Sequence, residues 1–187
     1  MTTTAPARDR IVSSKAGQVP WAREAIAVLR ETATVYGATI TYPALAEEVQ
    51  RRSGARTHAQ QRTWLGGVLR LVATACHGRN LPPLTSLAVS AKDGAVGVGY
   101  DVVAQVSGLA PFTSPSERER HAAASRLACY RAFGAEVPED AQPTPAPVKV
   151  VTASPQRRTQ PLELRAPVCT GCFIELPLAG GGCPNCD

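Results

Sequence analysis

The chain has 187 residues, of which 44% are hydrophobic but only 5% aromatic, and it carries a formal net charge of +5. That length allows one medium domain plus a small appendage, with a core built mainly from Ala, Val and Leu. No apolar run approaches the roughly 18 residues a membrane span needs, and "MTTTAPARDR" has no signal-like apolar stretch, so a cytoplasmic, reducing location is expected and no membrane partner.

Residues 1–18 are polar and without sustained period, which predicts a loose arm. "VPWAREAIAVLRETATVYG" then has helical spacing, with Trp21, Ala25, Ile26, Leu29, Ala33 and Tyr36 on one face and Gly37 placed to end it. "ATITY" is short and β-prone. "PALAEEVQRRSG" predicts a second helix, with Pro43 in its first turn, Leu45, Ala46 and Val49 facing inward, and Gly54 as its stop.

Thr57 is the expected N-cap of a third helix running from about His58 to Cys76. Its buried stripe is Trp64, Leu65, Val68, Leu69, Val72 and Cys76. Gly66 and Gly67, in mid-helix, cost roughly 1 kcal/mol each relative to Ala, so they imply a close helix crossing or a kink. "TSLAVS" and "VGVGYDVV", joined by "AKDGA", predict a β-hairpin.

Ser114 and Pro115 then open a further helix with Ala123, Leu127, Tyr130 and Phe133 inward. The expected organisation is α+β: an arm over 1–18, a winged-helix-like domain with an additional C-terminal helix over 19–137, a Pro-rich linker over 138–165, and a small zinc ribbon over 166–187.

The charge is unevenly placed. From Val49 through Lys92 there is no Asp or Glu, while Arg51, Arg52, Arg56, Arg62, Arg70, Arg79 and Lys92 all fall in that interval. Arg-rich, Ala-rich composition alone is the competing account. In a helix-turn-helix the second helix enters the major groove. Here that helix begins at Thr57, His58, Gln60, Gln61 and Arg62, and Gln and Arg are suited to adenine and guanine edges. Arg51, Arg52 and Arg56 are expected at phosphates, and Lys92 at the tip of the hairpin as the wing contact.

The C-terminal segment "CTGCFIELPLAGGGCPNC" sets Cys169, Cys172, Cys183 and Cys186 in a C-x2-C-x10-C-x2-C pattern. Two such turns joined by a hairpin complete a tetrahedral thiolate cage, and the pattern resembles a zinc ribbon. Four thiolates leave no open coordination position, so the zinc is expected to be structural and to supply the folding energy of so small a module. A redox dithiol pair, or iron in the same cage, are the competing readings. Cys76 and Cys129 fall on buried stripes and are expected to be inert.

"ITYPALAEEV", "LGGVLRLVATAC" and "LPPLTSLAVSAKDGAVGVGY" together resemble, over about residues 38–100, the winged-helix DNA-binding part of the alkylguanine alkyltransferase and alkyltransferase-like family. Where that family carries its reactive "PCHR" segment, this chain reads "PPLTSLAV". Alkyl transfer is therefore not supported, and the resemblance implies a scaffold alone.

His58, His77 and His121 are scattered, and no phosphate-binding loop, dinucleotide fingerprint or nucleophile elbow appears. A non-enzymatic DNA-binding regulatory protein without a small-molecule substrate is expected. The alternative is an interaction adaptor or inhibitor docking on a larger nucleic-acid-processing machine, with the ribbon as a further contact to a protein partner.

Overall fold

Trp21 and Trp64 pack against each other in the core, their rings tilted by 41° with centroids 4.4 Å apart. They come from two helices in a computed structural model that describes residues 10–146. The first helix is α1 (Ser14–Ala33) and the second α3 (Gln61–His77); between them lies α2 (Tyr42–Ser53). The short α4 (Val102–Val106) and the long α5 (Pro115–Ala132) follow. Two two-stranded parallel sheets complete a mixed α+β fold: β1 (Arg10–Ile11) pairs with β3 (Ala55–Arg56), and β2 (Ile40–Thr41) with β4 (Ala88–Val89). The described residues all belong to one unit spanning residues 1–150. The rest of the expected linker and the whole expected ribbon, 166–187, lie outside the described residues.

The helical stripes form the core as the spacing requires. Leu45, Ala46 and Val49 of α2 are buried, as are Trp64, Leu65, Val68, Leu69, Val72 and Cys76 of α3. Ala123, Leu127 and Tyr130 of α5 close the core from another side. Cys76 and Cys129 are both buried free thiols; burial raises both, Cys129 to about 12, which leaves them protonated and unreactive near neutrality.

Helix ends follow local chemistry. Thr41 caps α2 by accepting from the Ala44 amide, and Gly54 ends it in the left-handed region at φ 63°, where a side chain would be strained. Ser114 caps α5 by accepting from the Glu117 amide at 3.1 Å. The Trp21 indole donates to the Ala55 carbonyl at 2.7 Å, which ties the chain between α2 and α3 to α1.

Four expectations are corrected. Residues 10–18, expected in a loose arm, instead pair as β1 and begin α1, which Ser13 caps. Thr57 does not cap α3. Its hydroxyl accepts from the Ala59 amide in a local turn, and α3 starts at Gln61 without a side-chain cap.

The hairpin over residues 85–103 does not form either. Leu84–Leu87 is a 3₁₀ turn, β4 pairs in parallel with β2, and Val98–Asp101 is a second 3₁₀ turn leading into α4. The returning strand's backbone donors go to side chains instead of to a ladder. The Val96 amide donates to buried Glu119 at 2.9 Å and the Gly97 amide to the Tyr42 hydroxyl at 2.9 Å. Finally, residues 138–146, expected as linker, lie against α5: Ala141 is buried and the Ala146 amide donates to Glu119 at 3.0 Å.

Candidate nucleic-acid interface

The acid-free stretch divides at Gly54 into two sets of arginines with different surroundings. At the end of α2, Glu48 lies one turn before Arg51 and Arg52, the i,i+3 and i,i+4 spacing at which side chains meet. Arg51 donates to both Glu48 oxygens, at 2.8 and 2.6 Å. Arg52 donates to Glu48 at 2.5 Å and reaches across to both oxygens of Glu31 on α1, at 2.7 Å each. Hydrogen bonds from Arg51 and then Arg52 bring the Glu48 carboxyl down to about 2, and the Arg52 hydrogen bond lowers Glu31 as well. These two arginines, expected at phosphates, are ion-paired within the molecule, Arg51 with its side chain still 60% exposed. Arg56, half buried in β3, is not free either.

The start of α3 is different. His58, Gln60 and Arg62 are exposed and Gln61 is half exposed, so four of the residues expected at base edges cluster there. Thr57 is half buried, and its amide is held by Gln50 at 2.9 Å. The first turn of α3 contains no acid, so its amide dipoles and the Arg62 guanidinium present one positive end. Lys92 is exposed on a separate tight turn closed by the Ser90 amide on Ala95, at 2.8 Å.

Farther along α3 the outer face continues through Gly66, Arg70, Thr74 and His77, all exposed. Arg70 donates to the neutral amide of Gln105 at 3.3 Å, which orients it without cancelling its charge. Sequence reasoning did not assign Arg70 and Gly66 to the interface, although Arg62, Gly66 and Arg70 share the i, i+4, i+8 spacing that defines one face. The two mid-helix glycines have different settings. A Cβ on Gly67 would come within 2.6 Å of the Gln18 side chain, so α1 crosses closely there, whereas a Cβ on Gly66 would meet nothing within 4 Å.

Among the described residues, no group of three or more His, Cys, Asp or Glu side chains could hold a metal ion. Cys169, Cys172, Cys183 and Cys186 lie outside them. His121, lowered by burial, bonds the Tyr100 hydroxyl at 3.1 Å and packs against Phe112, with ring centroids 5.1 Å apart. No helix among the described residues is long and apolar enough to cross a membrane. No family model, curated protein or solved structure matches the chain.

Proposed function

We propose that this protein binds duplex DNA through the outer face of α3, as a non-enzymatic regulator, with α2 and α3 acting as a helix-turn-helix pair. One observation carries the reading. Arg62 and Arg70 stand exposed on one face of a single helix, and neither is paired with a carboxylate among the described residues. Eight residues of helix separate them by about 12 Å along the axis, a little over two turns. Between them Gly66 leaves the helix backbone bare, which lets a phosphate or base edge approach.

In this reading Arg62, expected at a base edge, instead joins Arg70 in neutralising phosphates. His58, Gln60 and Gln61 meet base edges at the N-terminal end, and Lys92 makes a flanking contact. The wing of a winged helix reduces here to the Lys92 turn.

The four terminal cysteines form the second part of the proposal. Their soft donor set and spacing suit one structural zinc, held by Cys169, Cys172, Cys183 and Cys186. Chelation of the purified protein is expected to release about one zinc per chain and to leave the helical circular-dichroism signal of residues 10–146 intact. Loss of that signal would show that the two parts do not fold independently.

The test of DNA binding is fluorescence anisotropy on random duplex across a salt series. Arg62→Ala and Arg70→Ala should each flatten the log–log salt slope by about one, while Arg51→Ala leaves it unchanged. Absence of binding at about 50 mM salt, or equal effects of all three substitutions, would reject the interface.

A further inference from the structure

A second surface flanks the first. Between α1 and α3 runs an open trough of about 410 Å³, with Ala22, Ile26 and Ala75 among its lining residues. Val19 and Leu71 also line it, 71% and 37% exposed, and Arg23 and Arg79 complete the lining. No acid lines it. Single exposed apolar residues are ordinary on a protein surface. Two that adjoin an apolar floor, with a cation from each wall, form a surface with a defined chemistry.

We propose that this trough takes an acidic amphipathic helix from a partner protein. Such a helix lays apolar residues spaced at i, i+3 or i+4, and i+7 into the trough, and its flanking Asp or Glu side chains meet Arg23 and Arg79. This rests on residues other than those of the DNA reading and stands or falls separately.

Charge and shape select this occupant over three others. A second copy of the chain in a two-fold contact would oppose the same patch to itself, setting Arg23 and Arg79 against arginines with no acid between them. A duplex would satisfy the guanidinium groups but leave Val19 and Leu71 against charged phosphates. An added β-strand needs an edge to pair with, and no residue of a described strand lines the trough.

The experiment is a selection from a displayed library of helices about 16 residues long, enough to be helical when bound, against the full chain. Peptides should emerge with apolar residues at helical spacing flanked by Asp or Glu. Their affinity should fall about tenfold or more for Leu71→Glu and for Arg23→Glu with Arg79→Glu, and should survive Leu71→Met and the Arg62→Ala, Arg70→Ala pair. Matching melting curves establish that the variants fold; Val19→Gln serves as a milder apolar lesion if Leu71→Glu does not.

The proposal is overturned if no sequence enriches, or if the enriched peptides are basic. It is equally overturned if binding is indifferent to Leu71→Glu, if random duplex displaces the peptides, or if the trough proves to mediate self-association that Leu71→Glu abolishes.

Discussion

The end of α2 and the outer face of α3 carry the same residue type within one acid-free stretch of sequence, yet their charges have opposite fates. Arg51 and Arg52 are held by Glu48 and Glu31, whereas Arg62 and Arg70 face solvent with no carboxylate partner among the described residues. The controlling residue, Glu48, sits one position before the acid-free stretch begins. A count of charges along the chain places it outside, and the geometry of a helix places it within reach of both arginines. Local composition says where cations are concentrated. Helical spacing decides which of them remain available to a ligand.

The most forceful way to break this comparison is charge reversal. Arg62→Glu with Arg70→Glu is expected to lower duplex affinity about 100-fold or more at low salt, or roughly 3 kcal/mol. The melting temperature should hardly move, since neither side chain is buried. Arg51→Ala should do the converse, changing affinity less than about twofold. If both substitutions weaken binding alike, the division between the two sets of arginines carries no functional meaning.

The same geometry explains what the sequence made legible. Apolar stripes at helical spacing are local and redundant, so α2, α3 and α5 could be read with their inward residues, and Gly54 and Ser114 marked their helix ends. Where long-range partners decide the backbone, reading failed. The segment after Lys92 has the Val-rich alternation of a strand, but buried Glu119 and the Tyr42 hydroxyl capture its amides. Val102 and Val103 then pack as part of α4, beside Ala73 of α3. Glu119 lies 23 residues beyond Val96, and nothing in the local pattern announces that pairing. At the candidate interface, the cluster around Arg62 was legible as an exposed helix start. Thr57 does not cap α3 because its hydroxyl is taken by a local turn, which a hydroxyl before a helix satisfies equally well.

The paired glycines sharpen the comparison with smaller effects. Gly66→Ala adds a methyl group into open space on an exposed helix, and should raise stability by about 0.5–1 kcal/mol. If the bare backbone is there for DNA, the same substitution should weaken duplex binding several-fold. Gly67→Ala gains the same propensity but must displace the end of the Gln18 side chain, so its net effect on stability should be near zero, with binding unchanged. Identical behaviour of the two variants in melting and in anisotropy would remove close approach from the argument.

The smallest expected effect tests the link between the two regions directly. Glu48→Gln leaves Arg51 without its carboxylate partner and Arg52 with Glu31 alone, so one guanidinium is released and duplex affinity should rise a few-fold. Stability should fall by roughly 1 kcal/mol at most, because water screens a surface pair. The sign with pH follows from the depressed Glu48 carboxyl. Its contribution is complete above the ordinary value of 4.5 and fades as pH falls toward about 2. Melting curves of the native protein and of Glu48→Gln should therefore differ most at neutral pH, converge below 4.5, and coincide near the bottom of that range. A difference that persists undiminished in acid would mean that Glu48 acts through packing, and that Arg51 and Arg52 are held by something other than its charge.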